Sequence, residues 1–220
     1  MIKTLFSAYL FLLIVCFITG IICTWRLKNT FLPIKQLAWF ILLTFITEMI
    51  GLQWALKFGT NHCVYNIYQV CQFCFFSFTL YRMIENNRLK KYIICISAVY
   101  TALAITNLCF IQGIHLLNTF NYYTAAVIIA FLSGYSLNEL FKKANIDNPL
   151  KTPSFWVSSS ILVSNSCMIP LLLPAAFSLQ FTSGETRILI ILITSVNFVS
   201  YSMFIVAFLY HYRNNVRSLL

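Results

Sequence analysis

The chain has 220 residues, of which 60% are hydrophobic and only 9% are charged. A soluble domain has about 45–50% apolar and about 25% charged residues, so this composition excludes a soluble globular protein. The formal net charge is +10, but the cations lie in short segments between apolar runs, a pattern that indicates membrane topology. We therefore expect an integral membrane protein that lies in the lipid bilayer and binds no nucleic acid.

Seven apolar segments follow one another along the chain, each close to the roughly 20 residues that a helix needs to cross a bilayer. They are predicted as helices because an open strand edge cannot remain unpaired in lipid. Their approximate bounds are residues 5–24, 37–56, 64–81, 92–112, 119–140, 155–177 and 188–210. The first is interpreted as a retained helix and not a signal peptide, since it leads directly into a basic segment. The predicted fold class is all-α integral membrane, with seven transmembrane helices in one domain, 1-220.

Basic residues are distributed unequally between the segments that join these helices. The segments after the first, third and fifth helices and the tail are basic, whereas the alternate segments hold only Lys57 and Arg187. Short cytoplasmic segments are enriched in Lys and Arg. We expect the N-terminus outside and the C-terminus in the cytoplasm.

Similar residues recur at equal or nearly equal spacings in two parts of the chain, which indicates an internal repeat. The first set aligns Pro33, Lys35, Trp39 and Glu48 with Pro149, Lys151, Trp156 and Asn165. The second set aligns Asn66, Phe73, Tyr81 and Arg82 with Asn197, Phe204, Tyr212 and Arg213. We predict a 3+1+3 parallel duplication, with repeat one at about 1-84, a linker helix at about 92-112 and repeat two at about 119-213. The alternative is chance, since Pro and Trp are both favoured at membrane boundaries.

Polar residues inside the predicted helices fall at similar depth. Glu48 lies 13 residues beyond Lys35, and Asn66 and Asn197 each lie 16 residues from the Arg near the end of their helix. At about 1.5 Å per residue, these rises of roughly 20–24 Å place the residues in one layer of the outer half of the bilayer. On the third helix, Gln69 and Gln72 share one face with Tyr65 and Tyr68. The candidate ligand-binding residues are Glu48, Asn66, Gln69, Gln72, Asn165 and Asn197.

Glu48 is the ionisable residue deepest in a predicted span. A charged carboxylate there costs about 2.5 kcal/mol or more. It is therefore either a ligand-contacting or proton-coupling acid, or a neutral group that joins helices by hydrogen bonds. The same two interpretations apply to the amides. Gly51 and Gly134 are expected to allow close helix approach.

Motifs for other chemistry are lacking in the sequence. His62, His115 and His211 are scattered and form no ligand set for a metal, and neither a catalytic triad nor a Gly-rich phosphate loop occurs. We expect a non-enzymatic protein without catalytic residues, metal or cofactor. The cysteines lie mostly in apolar runs and are expected as free thiols; a disulfide between Cys63 and Cys109 is left open.

Three short motifs resemble a group of small seven-helix membrane proteins of Bacteroidota that have no assigned activity. These are Thr47-Glu48, Tyr65-Asn66-Ile67-Tyr68, and Pro149 followed by Phe155-Trp156. The resemblance implies a role near membrane signalling and location in a bacterial inner membrane. The arrangement is also similar to the SWEET and PQ-loop transporters, where the counterparts of Asn66 and Asn197 line the substrate site. The Pro-Gln pair of the PQ-loop proteins is absent, since Pro33-Ile34 and Pro149-Leu150 stand at those positions.

Three functions follow as hypotheses. The first is a small-ligand-binding sensor or receptor-like module that acts through a separate cytoplasmic partner. The second is a small-solute transporter in which the two repeats rock about the polar layer. The third is a structural subunit of a membrane complex, with homo-oligomerisation as one form of it.

Overall fold

The structure, a computed structural model, describes residues 2–25, 32–143, 148–176 and 183–217. Seven α-helices run through these residues: α1 Ile2–Trp25, α2 Leu32–Phe58, α3 His62–Met83, α4 Asn87–Thr106, α5 Thr119–Lys142, α6 Pro153–Ala176 and α7 Ser183–Arg217. A π-helical turn, Asn107–Ile111, continues α4, and a 3-10 turn, Pro149–Lys151, precedes α6. The seven predicted helices are confirmed, and α7 is longer than predicted at both ends.

Six of the seven helices are long and apolar enough to cross a membrane. The exception among the described helices is α3, which has 22 residues but carries buried polar side chains, including Asn66, Gln69 and Thr79. Large apolar side chains are exposed on the other helices, as at Phe11, 67% exposed, and Phe131, 68% exposed. The bundle is thus compatible with a membrane protein whose surface is apolar and whose interior is partly polar.

The helices pack as a closed ring with one helix outside it. Around the ring the order is α1, α2, α3, α5, α6 and α7, and α7 packs again on α1; α4 packs mainly on α3. Across the ring, α2 touches α7 and α3 touches α6. At Gly20 a Cβ atom would lie 2.8 Å from the Phe208 ring of α7 and 2.9 Å from Ala38 Cβ of α2, so both side chains pack directly against the backbone of α1.

The short connection from α3 to α4 is fixed against the end of α5. Glu139 accepts hydrogen bonds from the backbone N–H groups of Glu85, at 2.9 Å, and Asn86, at 3.2 Å. Lys143 forms an ion pair with Glu85 at 2.7 Å. The hydrogen bond and positive charge of Lys143 hold the pKa of the exposed Glu85 carboxyl below its ordinary value.

Candidate functional site

Glu48 lies on α2, where two tyrosines from neighbouring helices bind its carboxyl group. Tyr9 of α1 donates its hydroxyl to Glu48 Oε1 at 3.1 Å. Tyr65 of α3 donates to Glu48 Oε2 at 2.6 Å. Each carboxyl oxygen therefore has a donor from a different helix, which offsets the cost of removing this group from water. These three residues are called the Glu48 centre below.

Further tyrosines surround the Glu48 centre. The Tyr68 hydroxyl lies 2.7 Å from Thr44 Oγ1, and the Tyr201 ring packs against Tyr9 with ring centroids 5.9 Å apart. Since Tyr201 belongs to α7, helices from both ends of the chain meet here. The centre is therefore placed where α1, α2, α3 and α7 converge.

Two glycines were predicted to allow close helix approach, with different outcomes. At Gly51 a Cβ atom would lie 3.2 Å from the Tyr65 hydroxyl. The missing side chain thus makes room for the Tyr65 side chain beside Glu48, and close approach of the two helix backbones there stays a prediction. At Gly134 no described atom lies within 4 Å of the Cβ position. Within the described part of the chain, the prediction of close approach at Gly134 is therefore wrong, because its Cβ position faces open space.

Asn66, which follows Tyr65, holds the loop between α4 and α5. Its Nδ2 donates to the carbonyl oxygens of Ile114, at 3.0 Å, and Leu116, at 2.7 Å. Its Oδ1 accepts from the backbone N–H of Asn118 at 3.1 Å. Asn66 is only 1% exposed; its bond with Asn118 is buried, and its bonds with Ile114 and Leu116 are partly buried. One side chain of α3 therefore fastens the loop of residues 112–118.

Gln69, one turn further along α3, is bound to α4 and α5. Its Nε2 lies 2.8 Å from the Tyr100 hydroxyl and 3.1 Å from the carbonyl oxygen of Asn121. Tyr100 also lies within 3.1 Å of both Gln69 Oε1 and the Asn121 carbonyl oxygen. The peripheral helix α4 is thus joined to the ring through polar side chains as well as through apolar packing.

Asn107, at the start of the π-helical turn, extends the same set of bonds. Its Nδ2 lies 2.7 Å from Asn118 Oδ1 and 3.1 Å from Asn121 Oδ1 and Gln112 Oε1. Asn121 in turn donates to the carbonyl oxygen of Ala104 at 3.1 Å. We call the connected side chains the amide network: Asn66, Gln69, Tyr100, Asn107, Gln112, Asn118 and Asn121. It fixes the shape of the chain from the end of α4 to the start of α5.

The Glu48 centre and the amide network meet at two consecutive residues of α3. Tyr65 binds Glu48 through its hydroxyl and accepts a hydrogen bond at its backbone carbonyl from the Tyr122 hydroxyl of α5 at 3.0 Å. Asn66 binds the loop of residues 112–118. Two sets of hydrogen bonds, joined by the peptide bond between Tyr65 and Asn66, therefore connect this loop with Tyr9 on α1.

The six predicted site residues fall into two groups. In the first group, each side chain binds a neighbouring element: Asn66 and Gln69 belong to the amide network, and Glu48 lies in its own centre, which meets that network at Tyr65. Asn165 donates instead to the carbonyl oxygen of Ile161 on its own helix at 2.8 Å. Gln72 and Asn197 are half-buried, and neither forms a side-chain hydrogen bond with another described residue. The shared depth of the second group with Glu48 stays a prediction.

Much of the amide network has only a weak signal in the sequence. Three of its members, Asn107, Asn118 and Asn121, lie at or near the ends of predicted helices, where polar residues are common. The available signal was the concentration of amides on both sides of Gly113, whose φ of +77° makes the turn there. Tyr9 and Tyr100 gave no such signal, since single tyrosines in apolar helices are ordinary.

Neither a metal-binding cluster nor a disulfide occurs among the described side chains. Over residues 2–25, 32–143, 148–176 and 183–217, no cluster of three or more His, Cys, Asp or Glu side chains could hold a metal ion. All eight cysteines are free thiols, Cys63 and Cys109 included. What the bundle offers chemically is therefore a carboxyl group with two phenol donors and a set of amides.

These observations define an all-helical bundle with six apolar helices of membrane-spanning length and a polar network in its interior. No protein-family model matches the chain, and neither a curated protein nor a solved structure does.

Proposed function

We propose that the chain crosses a bacterial inner membrane seven times. Its N-terminus lies outside and its C-terminus lies in the cytoplasm. Six apolar helices and their exposed apolar side chains support insertion. The basic segments after α1, α3 and α5 support the orientation. The helix α3 crosses as well, because its neighbours in the bundle bind its polar side chains and spare them contact with lipid.

The proposed 3+1+3 duplication is supported by the order of helix packing. If α1, α2 and α3 are exchanged with α5, α6 and α7, every packed pair of ring helices has a counterpart. The pair α1 and α7 corresponds to α5 and α3, and the cross-ring pair α2 and α7 corresponds to α6 and α3. The linker α4 lies outside this exchange. The copies differ locally, since Pro33 lies inside α2 whereas Pro149 opens a separate 3-10 turn.

The function that the geometry supports best is a small-ligand-binding membrane sensor that acts through a separate cytoplasmic partner. The observation that carries this proposal is the continuous path from the loop of residues 112–118 through Asn66 and Tyr65 to Glu48 and Tyr9. In the proposed orientation this loop lies outside. A ligand that favours a different arrangement of the loop would change the population of states at the Glu48 centre, and thus the packing of α1 and α3 against α2.

Transcript profiles of the host bacterium test the sensor proposal. Four strains are compared, each with one chromosomal allele: wild type, a deletion, Glu48→Gln, and Glu85→Gln as a matched carboxyl-to-amide change in the connection from α3 to α4. We expect Glu48→Gln, at unchanged protein abundance, to alter the profile, and Glu85→Gln to leave it as in wild type. A deletion with a wild-type profile would contradict a sensor function.

The helix exchange described above also favours a second function, a small-solute transporter. Parallel repeats about an axis along the membrane normal are one way in which transporters are built. A transporter predicts that proteoliposomes take up a solute and that Glu48→Gln or Asn197→Ala lowers the flux. If these substitutions change neither flux nor transcripts and lower only thermal stability, the protein is a structural subunit.

A further inference from the structure

A groove runs along one face of α5, starting at the loop of residues 112–118. Its volume is about 540 Å³, within the roughly 300–1,000 Å³ of small-molecule sites. The groove is lined by Gln112, Thr119, Phe120, Tyr123, Thr124, Val127 and Ile128. Apart from Gln112, these residues recur at the spacing of a single helical face. The groove is therefore an elongated surface parallel to α5, outside the Glu48 centre.

The polarity of this groove changes along its length. Toward the loop the lining is mostly polar, with Phe120 as the one apolar side chain, and at the far end it is apolar: Gln112, Thr119, Phe120, Tyr123 and Thr124, followed by Val127 and Ile128. From residue 119 to residue 128 the helix rises about 13 Å. A tyrosine near a membrane boundary and apolar residues deeper in the span match the arrangement of a bilayer lipid, whose polar head lies at the interface.

The polar end of the groove belongs to the amide network. Gln112 Oε1 accepts a hydrogen bond from Asn107 at 3.1 Å, which leaves the Gln112 NH₂ group as a donor toward an occupant. Next in the network, Asn118 is 1% exposed and its Nδ2 has no acceptor within the described part of the chain. An occupant that binds Gln112 therefore acts directly on Asn107, and through it on the groups that hold the loop.

The lining of the groove carries no charge, and this favours an uncharged ligand. None of the seven lining residues is ionisable at neutral pH. An anionic head group would find no cation there, whereas the amide of Gln112 and the hydroxyl of Tyr123 suit an uncharged acceptor such as a carbonyl oxygen. The apolar end suits a hydrocarbon chain.

We propose that this groove binds an uncharged, carbonyl-headed amphiphile of the bilayer, with its head at Gln112 and Tyr123 and its chain along Val127 and Ile128. The inference rests on the proposed sensor function and names the ligand class for it. The ester of a diacylglycerol and the ring carbonyl of a lipid quinone share this chemistry.

Photolabelling of the full chain in nanodiscs tests the proposal. The probe is a diacylglycerol with a diazirine in one acyl chain, and mass spectrometry locates the labelled residues. We expect labelling of residues 119–128 to exceed several-fold that of the exposed apolar face of α4, residues 92–103. We expect Val127→Trp to abolish the excess by filling the groove. The matched control is Val99→Trp, because Val99 on α4 is 53% exposed and Val127 is 50% exposed.

Competition then identifies the source of the ligand. Unlabelled menaquinone and unlabelled diacylglycerol are added separately, and the stronger competitor identifies the preferred head group. Equal labelling of α5 and α4, or labelling of α5 that survives Val127→Trp, would overturn the proposal, since it would indicate contact with bulk lipid only. Equal competition by the anionic phosphatidylglycerol would overturn the uncharged class.

The labelling experiment and the transcript experiment can give different answers, because labelling in nanodiscs requires no cytoplasmic partner. Selective labelling together with an unchanged transcript profile for Glu48→Gln would retain the groove and overturn the sensor. A transcript effect of Glu48→Gln without selective labelling would retain the sensor and overturn the groove.

Discussion

Replacing Asn66 by leucine removes the side chain that fastens the loop of residues 112–118. Leucine has nearly the same size but neither donates nor accepts hydrogen bonds. The substitution deletes the bonds to Ile114, Leu116 and Asn118. Because Asn118 is 1% exposed, its backbone N–H would lose its partner where water cannot replace it.

The expected loss of stability follows from these three bonds. Hydrogen bonds between helices in a membrane contribute about 0.6 kcal/mol on average, and a typical bond in mutational series contributes about 1 kcal/mol. Three bonds therefore give about 2–3 kcal/mol. The matched control is Gln72→Leu, on the same helix, where the half-buried side chain forms no hydrogen bond with another described residue. We expect the control to change stability by less than about 1 kcal/mol.

Two measurements on the purified protein check this prediction. Unfolding by sodium dodecyl sulfate in mixed micelles gives the difference in free energy, and hydrogen–deuterium exchange followed by mass spectrometry reports on residues 112–118. Asn66→Leu should lower the free energy of unfolding and raise exchange in the loop, whereas Gln72→Leu should do neither. Equal stability of the two variants, with unchanged exchange in the loop, would refute the role assigned to Asn66.

Two further predictions concern packing and charge. Gly20→Ala should destabilise the bundle by about 1–3 kcal/mol, because its Cβ would lie under 3 Å from atoms of two helices. The control, Gly134→Ala, adds its Cβ in open space and should be neutral or stabilising. Equal melting temperatures of the two variants would argue against the close packing at Gly20. Since contact with Lys143 lowers the pKa of Glu85, this carboxylate stabilises the fold above its ordinary pKa. That contribution disappears as the pH falls through the lowered pKa. The small difference in melting temperature between wild type and Glu85→Gln should therefore vanish in acid, and a constant difference would contradict the ion pair.

The helices could be predicted from the sequence because their apolar runs are long and uninterrupted. The π-helical turn at Asn107–Ile111 could not, since Asn107 bonds there with Asn118 and Asn121 as well as with Gln112. The helix α3 is less apolar than the other six because it carries polar residues, such as Asn66 and Gln69, which neighbouring elements bind.

The candidate site could be predicted in part, for a similar reason. Glu48, Asn66 and Gln69 stood out because a polar group inside an apolar helix is costly and needs a partner. The partners themselves depend on which helices meet. Tyr9, which lies 39 residues from Glu48 in the chain, therefore could not be found by spacing. Depth alone also could not show that Asn165 binds its own backbone.

In the proposed sensor, the Glu48 centre and the loop of residues 112–118 respond as one unit through Tyr65 and Asn66. Hydrogen–deuterium exchange in nanodiscs measures this coupling, with wild type compared with Glu48→Gln and with Asn165→Leu as the control. We expect Glu48→Gln to raise exchange in residues 112–118 and the control to leave it unchanged. A change confined to α1 and α2 around residue 48 would contradict the claim.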